Sequence, residues 1–368
     1  MVTLCVRATG RSSGSLPVRK AVGSRQVSVI AKGNGMAGTL QVIEASGSHY
    51  DIGCQIGRQT REQTRALAGA LRRTRADDST TCARHAEYMR HVEQFPFIMD
   101  ELRGMADGAG LPFEVVARIQ VVELDRCLPK ADGCTTLVVR DAEHLLIGHN
   151  EDGGQADDVF LLKAAYPSGL RLLALCYIGS LPGHAPFVNS HGLVCTCNAL
   201  RPCDSRVGEP KRVFCRRVVD AADIDEAVEL LGGSRRAQGE NFVLAQGGRA
   251  VGVEASATAM RVQEITANYY HCNNYLHADM VRFEGEDHAS SNTFTRSAEA
   301  QRVCGELRTM SDLHAALSSH ANHPRCFCRH DGGKTLACAF FDCTEKHIRI
   351  GHGPPCRAEL EEFTVGWE

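Results

Sequence analysis

The hydrophobic pattern of the chain changes at Cys134, and this change limits the folds that the chain can adopt. Before that residue, apolar side chains recur at helical spacing, as in the stretch from Tyr50 onwards and in FIMDELRGMADGAGL, whose glycines mark a helix end. After it come short apolar runs separated by turns, which predict strands. Within this second part only residues 223–233 and 296–310 have helical spacing. Helices followed by a strand-rich body predict a layered α+β fold.

The predicted strands place the whole body of the chain in one domain. They are TLQVIEAS near the start and, after Cys134, CTTLVVR, HLLIGHN, VFLLKAAY, LRLLALCYI, LVCTCNAL, NFVLAQGG, RAVGVEA, TLACAFFDC and HIRIGHG. No repeat and no low-complexity linker interrupts this series. Residues 39–368 are therefore expected to form a single domain.

Residues 1–38 differ in composition from the rest and are predicted to be a leader. The sequence has six basic residues and several serines before its first acid, Glu44. A basic, serine-rich and acid-free start is typical of an organelle transit peptide, and VIA at 29–31 resembles a plastid processing site. The alternatives are a disordered leader or a start at Met36. We expect an intracellular protein, cytoplasmic or, if residues 1–31 are a transit peptide, in a plastid or mitochondrion.

Composition excludes several classes of protein. The net charge of −3 and the scattering of Lys and Arg among acids exclude a basic face for nucleic acid. The apolar runs fall far short of the ~20 residues that span a bilayer. Seventeen cysteines without a secretory segment do not indicate a disulfide framework, and the C-x-C pairs at 195/197 and 326/328 lack zinc-knuckle spacing. Most cysteines are expected to be reduced and buried, and no cofactor or metal is expected.

Cys134 directly follows Gly133 and begins a predicted strand. Asp152 lies 18 residues further on, a distance filled by a strand, a tight turn and an antiparallel return strand. Such a hairpin would bring Asp152 back beside Cys134. For an isolated cysteine the ordinary interpretation is a small buried side chain. The alternative is a nucleophile that becomes a chain terminus.

Seven motifs occur in an order that a known family shares. They are GSHYDIGCQIGRQ, ELRGMADGAGL, DGCTTLVV, GHNEDGG, NSHGLVCTCNAL, HCNNYLHADM and the closing pair of CRHDGGKTLACAFFD and GHGPP. Over about residues 40–360 the chain resembles the acyl-CoA:6-aminopenicillanic acid acyltransferase family of N-terminal-nucleophile hydrolases, whose relatives include bile salt hydrolases and penicillin V acylases. The resemblance implies an αββα four-layer sandwich, two antiparallel sheets face to face with helices outside.

The resemblance also implies that the precursor cuts itself between Gly133 and Cys134, giving an α segment (39–133) and a β segment (134–368). The sulfur of Cys134 would attack the carbonyl of Gly133 and form a thioester that water opens. Gly133 allows this approach because it has no Cβ to clash. The freed α-amino group, with a pKa of roughly 7.7–8.0, could then accept the thiol proton within the same residue.

By family position, further residues acquire expected roles. Asp152 would hold the new amino terminus, and Asn273 would donate a hydrogen bond to the tetrahedral oxyanion. Asn198 is a second candidate for the oxyanion or for orienting substrate. The active-site arginine is expected to be Arg296, although it stands two positions later than in the family pattern S-S-x-x-R, and Arg329 is the alternative.

The predicted function is a self-processing amidohydrolase or acyltransferase that takes an acyl group from a small amide or an acyl-thioester such as an acyl-CoA. Two other classes stay open: a zinc- or redox-responsive binding protein built on the cysteines and histidines, and a Cys–His protease with His330 as base. His149 and His330 are otherwise expected to be structural, and Glu254 has no assigned role. The turn at Asn273 and Asn274 departs from the family pattern and leaves both asparagines as candidates to point inward.

Overall fold

The computed structural model describes residues 39–72, 79–121, 133–154, 158–285, 292–331 and 333–364. The helices in these ranges are α1 (His49–Gln59), α2 (Arg61–Arg72), α3 (Ser79–Val92), α4 (Pro96–Ala109), α5 (Phe113–Ile119), α6 (Lys211–Val218), α7 (Ile224–Gly233), α8 (Thr293–Cys304) and α9 (Met310–Leu317). None of these helices combines the length and apolar character needed to cross a bilayer. The predicted leader lies outside the described ranges, so the transit peptide stays a prediction.

The strands in the same ranges form two sheets. They are β1 (Val42–Ser46), β2 (Thr135–Arg140), β3 (Leu145–Gly153), β4 (Val159–Ala165), β5 (Arg171–Tyr177), β6 (Phe187–Asn189), β7 (Val194–Leu200), β8 (Gly239–Gln246), β9 (Arg249–Ala255), β10 (Met260–Glu264), β11 (Tyr269–His271), β12 (Lys334–Asp342), β13 (His347–His352) and β14 (Leu360–Phe363). The large sheet has the order β1-β4-β5-β6-β7-β8-β9-β10, and β1 runs parallel to β4. The small sheet, β11-β2-β3-β12-β13-β14, is antiparallel.

Alternating side chains show how the sheets and helices stack. On β4, Phe160 and Leu162 pack in the cluster that α1, α4, α6 and α7 line, whereas Leu161 packs toward the small sheet. The other face of the small sheet meets α8 and α9 through residues such as Leu137 and Leu317. Both faces of each sheet are therefore buried, as the two-residue period of a strand allows. This arrangement is the four-layer αββα sandwich that the resemblance implied.

Helices α1 and α4 approach each other so closely that glycines are required at their contact. A Cβ at Gly53 would lie 2.1 Å from the backbone oxygen of Glu101, and one at Gly104 would lie 2.1 Å from that of Tyr50. The same is true one turn further along each helix, at Gly57 and Gly108. The spaced glycines of GCQIG and GMADG therefore build a backbone-to-backbone helix contact.

The structure corrects several helix predictions. The helical stretch after Tyr50 is two helices, because Thr60 leaves helical geometry between α1 and α2. The prediction of only two helices after Cys134 is wrong, since α6 and α9 are also present. Helix α6 is rich in arginine yet buried, because the guanidinium of Arg216 forms an ion pair with Glu101 at 2.8 Å in the core.

Replacing Gly104 by alanine tests the close helix contact. The added methyl group must push α1 away from α4, and overpacking of this kind costs about 1–3 kcal/mol. We expect Gly104→Ala to lower the midpoint of urea unfolding clearly. The matched control is Gly233→Ala at the end of α7, where a Cβ has no heavy atom within 4 Å and alanine favours the helix. Equal midpoints for the two variants would contradict the contact.

Candidate active site

Cys134 lies at the start of the hairpin formed by β2 and β3. Thr135 pairs with Asn150 in antiparallel register, so Cys134 stands opposite Glu151. The thiol is 5% exposed, and its Sγ donates a hydrogen bond to Oε1 of Glu151 at 3.1 Å. The hairpin is the one expected from the spacing of Cys134 and Asp152. Sequence reasoning had not singled out Glu151, because an acid inside GHNEDGG gives no separate signal.

Arg296 is fully buried and its guanidinium joins three segments of the chain. Nη1 donates to the backbone oxygen of Cys134 at 2.7 Å and to Oγ1 of Thr135 at 2.9 Å. Nη2 donates to Oδ1 of Asn273 at 2.8 Å, and Nε donates to Oδ1 of Asn292 at 3.0 Å. These bonds fix the first turn of α8 to the start of β2 and to Cys134, which precedes it.

The side chain of Asn273 lies directly beside Gly133. A Cβ added to Gly133 would be 2.8 Å from Nδ2 of Asn273, so only glycine fits there without displacing the amide. This amide also donates to the backbone oxygen of Ala199 at 3.0 Å. Asn274 instead places its Nδ2 3.3 Å from the backbone oxygen of the next residue. Of the two asparagines in this turn, Asn273 is the one that faces Gly133.

Glu254, to which the sequence assigned no role, holds the turn that carries Asn273. Its Oε1 lies 2.9 Å from Nε2 of His271 and accepts hydrogen bonds from the backbone N–H groups of Leu276 at 2.6 Å and His277 at 3.3 Å. Burial opposes ionisation of Glu254, yet these hydrogen bonds lower its pKa below the ordinary value. Glu254 is thus a positioning residue for the turn.

Asn198 reaches Cys134 through a chain of buried polar side chains between the two sheets. Its Oδ1 accepts from Oγ1 of Thr136 at 2.8 Å, and that hydroxyl lies 2.8 Å from Nδ1 of His149. Nε2 of His149 lies 3.1 Å from Oε2 of Glu151, whose other oxygen accepts from Cys134. His149 therefore links Asn198 to the thiol through hydrogen bonds.

The carboxylate of Asp152 lies between Thr335 and Arg329. Oγ1 of Thr335 donates to Oδ1 at 2.7 Å, while Nη1 of Arg329 lies 3.6 Å from Oδ2, beyond hydrogen-bond length. Within the described residues Oδ2 accepts no hydrogen bond. Burial raises the pKa of Asp152 to about 6, although the charges of Arg329 and Arg296 act in the opposite direction. The structure therefore brings both candidate arginines to the site.

The surroundings of the Cys134 thiol favour its neutral form. Burial raises its pKa well above the ordinary value, and the charges of Glu151 and Asp152 raise it further. Its hydrogen-bond partner among the described side chains is Glu151 rather than an imidazole. His330 packs instead against another histidine and two cysteines, so the geometry does not support His330 as the base of a Cys–His protease.

Comparison with known proteins identifies a family. The family model for acyl-coenzyme A:6-aminopenicillanic acid acyl-transferase matches residues 139–356. That range contains Asp152, Asn198, Asn273 and Arg296, and it begins five residues after Cys134. The beta-alanyl-dopamine/carcinine hydrolase of Drosophila melanogaster is 24% identical over 374 residues, which cover 87% of this chain and 94% of that protein.

Two solved structures are similar to part of this chain at low identity. A mutant conjugated bile acid hydrolase from Clostridium perfringens is 10% identical, with a TM-score of 0.40 over 64% of this chain and 93% of that chain. The penicillin V acylase from Agrobacterium tumefaciens is also 10% identical, with a TM-score of 0.37 over 60% of this chain and 82% of that chain. Because the family match spans more than half of the sequence, this protein belongs to the acyl-coenzyme A:6-aminopenicillanic acid acyl-transferase family, whose members are amide hydrolases and acyltransferases.

Proposed function

We propose that the chain cuts itself between Gly133 and Cys134, and that the mature enzyme then hydrolyses or transfers the acyl group of a small amide through an acyl-enzyme on Cys134. The observation that carries this proposal is that three groups meet at the peptide bond between Gly133 and Cys134. The thiol of Cys134 stands on one side of it, the amide of Asn273 packs against Gly133, and Arg296 donates to the carbonyl of Cys134.

In the mature enzyme, the nitrogen of Cys134 is an amine with an ordinary pKa of roughly 7.7–8.0. It can take the proton of the thiol and leave a thiolate, which is the reactive form. By extension of the β2–β3 register, Asp152 stands opposite Gly133, next to where this amine forms. Its Oδ2, which accepts no hydrogen bond within the described ranges, would accept one from the new ammonium.

Self-cleavage and substrate turnover use the same donor. In both, an acyl carbon is bonded to Sγ of Cys134, so the substrate acyl group occupies the place that Gly133 leaves. The amide of Asn273 beside Gly133 is therefore placed to donate to the oxyanion in both reactions. A donor aimed at the charge that develops in the transition state is worth about 10²–10³ in rate.

The relative in Drosophila suggests which amides to try first. It is named for β-alanyl-dopamine and carcinine, so we propose amides of small amines with small acyl groups as substrates. Acyl transfer from an acyl-CoA to an amine is the second candidate activity, in keeping with the name of the family. Which of the two dominates depends on whether the acyl-enzyme meets water or a bound amine.

Intact mass spectrometry and a denaturing gel test the self-cleavage. Purified wild-type protein should give two fragments, the larger one beginning at Cys134, and hydrolyse carcinine. Cys134→Ala should remain one uncut and inactive chain, because the sulfur is the attacking atom. Cys203→Ala, which removes an exposed cysteine elsewhere, should be cut like wild type. An active wild-type enzyme that remains uncut would overturn the proposal.

Asn273→Ala tests the oxyanion donor. Loss of its amide should slow self-cleavage, and carcinine hydrolysis by the matured fraction should fall by about 10²–10³ in kcat. The neighbouring Asn274→Ala is the matched control, because its Nδ2 lies against the backbone oxygen of Tyr275, and its kcat should stay within a few-fold of wild type. Similar losses in both variants would indicate a general disturbance of the turn rather than a lost donor.

Asp152 gives the uncut chain a specific pH dependence. Its folded pKa of about 6 lies above the ordinary value, so its contribution to stability is full in acid and is lost as the pH rises through 6. We expect Cys134→Ala to lose about 2 kcal/mol of unfolding free energy between pH 4 and pH 7 relative to Cys134→Ala/Asp152→Asn. Urea unfolding of both variants measures this difference. Parallel pH profiles would show that Asp152 does not titrate in this range.

A further inference from the structure

We infer that His320, Cys328, His330 and Cys356 form a zinc site next to the loop that carries Arg329. One donor atom from each of these four side chains lies within 4.8 Å of all the others. The four residues are separate from the chain of polar groups around Cys134. The inference rests on this cluster alone and is independent of the proposed function.

Four of the six distances between the donor atoms are near those of a tetrahedral zinc site. Nε2 of His320 lies 2.9 Å from Nε2 of His330. The sulfur of Cys328 lies 3.5 Å from Nε2 of His330, and that of Cys356 lies 3.3 Å from the same nitrogen and 3.7 Å from that of His320. A tetrahedron with zinc–nitrogen and zinc–sulfur bonds of about 2.05 and 2.3 Å has edges of about 3.3 Å between nitrogens and about 3.6 Å between nitrogen and sulfur.

The chemistry of the donors selects the metal. Two thiolates and two neutral imidazoles form the S₂N₂ set typical of structural zinc, and hard ions such as Mg²⁺ and Ca²⁺ prefer oxygen ligands. Two thiolates also neutralise the double charge of Zn²⁺, so the complex carries no net charge into a half-buried position. Four protein ligands leave no open coordination position, which indicates a structural rather than a catalytic ion.

The site would tie together three separate segments of the chain. His320 follows α9, Cys328 and His330 precede β12, and Cys356 lies in the loop between β13 and β14. The outer ligands His320 and Cys356 are exposed at this corner. A metal ion there would cross-link the end of the helix layer to the edge of the small sheet.

The ion would also position an active-site residue. Arg329 lies between two of the ligands, Cys328 and His330, and its guanidinium reaches Asp152 at 3.6 Å on the inner side. The backbone of Arg329 is bonded to Thr335, whose hydroxyl donates to Asp152. Anchoring residues 328–330 from outside would therefore hold the arginine against the carboxylate on the inside.

Metal analysis of the full chain, purified with a phosphine reductant and without chelator, tests the site. Wild type should carry about one zinc per chain. Cys356→Ser and His320→Ala change exposed ligands and should retain the fold while losing most of the metal. Cys203→Ser, at an exposed cysteine elsewhere, should keep the zinc of wild type. Replacement of zinc by Co²⁺ should give the near-ultraviolet thiolate band and the strong visible bands of tetrahedral cobalt, which Cys356→Ser should abolish.

Three results would overturn this site. The first result is wild-type protein that contains no zinc and also fails to bind Co²⁺. A Cys328–Cys356 disulfide in place of metal, seen as a mass two units lower in unreduced protein, is another. The third is zinc retained in Cys356→Ser and in His320→Ala, which would place the ion elsewhere, for example on Cys134, His149 and Glu151, a second group with suitable donors among the described residues.

A second inference rests on a different observation and on the proposed function: we propose that Glu151 is the base of the self-cleavage step. Before the cut, the nitrogen of Cys134 is an amide and cannot accept a proton. The group in contact with the thiol at that stage is Oε1 of Glu151, at 3.1 Å. Glu151 is buried, and its carboxylate also accepts from the hydroxyl of Tyr177 at 2.5 Å.

The proton and the bonds balance in this step. The thiol proton of Cys134 passes to Oε1 of Glu151 while the sulfur bonds to the carbonyl carbon of Gly133. The bond from that carbon to the nitrogen of Cys134 then breaks, and Glu151 returns its proton to the leaving nitrogen, which becomes the amine. Water later adds to the thioester and releases the carboxylate of Gly133 and the thiol, and the remaining proton of the water passes to the new amine, which becomes an ammonium. Glu151 ends the sequence in its starting form.

Glu151→Gln tests this role because it keeps the shape of the side chain and removes its basicity. The first-order rate of self-cleavage, followed by gel and intact mass, should fall by about 10²-fold or more. Tyr177→Phe is the matched control, since it removes a second donor to the same oxygen and leaves the carboxylate in place. Its cleavage rate should stay within about tenfold of wild type. Glu151→Asp should cleave faster than Glu151→Gln because it restores a carboxylate.

The outcomes separate this inference from the proposed function. If wild type is cut and Glu151→Gln is cut at the same rate, the base is another group and only the inference on Glu151 fails. Likewise, if Glu151→Asp is cut no faster than Glu151→Gln, only the inference on Glu151 fails. If wild type is itself never cut, the self-processing proposal and this inference fail together.

Discussion

The active site depends on one buried cation, the guanidinium of Arg296. Four hydrogen bonds leave it, to Cys134, Thr135, Asn273 and Asn292, and the side chain is completely buried. A charge in such a position is stable only when its N–H groups are used. Because the guanidinium must use its N–H groups, its hydrogen bonds hold three parts of the chain close together. These parts are the start of β2, the turn at Asn273 and the first turn of α8.

The register of the β2–β3 hairpin divides the functional side chains between two faces of the small sheet. Cys134 and Glu151 lie toward the large sheet, where Thr136 and Asn198 continue the polar chain. Asp152 lies on the other face. Because strand side chains alternate, a shift of one residue would exchange the two sets. The apolar residues that pack between the sheets therefore also determine which side of the peptide bond meets the thiol and which meets the carboxylate.

Motif order in the sequence was enough to anticipate the layers, the hairpin and the candidate residues that now converge on Gly133 and Cys134. It could not find contacts between distant segments. Helix α6 was not predicted, and its burial depends on an ion pair with Glu101, which lies far away in the chain. Glu254 gave no signal because its role is to hold a turn on another strand. The cluster of two histidines and two cysteines escaped the spacing rules for zinc because its ligands come from three separate segments.

The parallel pairing of β1 with β4 has a consequence for the life of a processed enzyme. Strand β1 and helices α1 to α5 come from residues before Cys134, while the rest of the large sheet comes from residues after it. A cut at Gly133 would thus leave two polypeptides that share a sheet and a hydrophobic core. Their first assembly is guaranteed by covalent continuity, but reassembly after denaturation would require two molecules to meet. The precursor could refold at any dilution, whereas recovery of the cut form would depend on concentration.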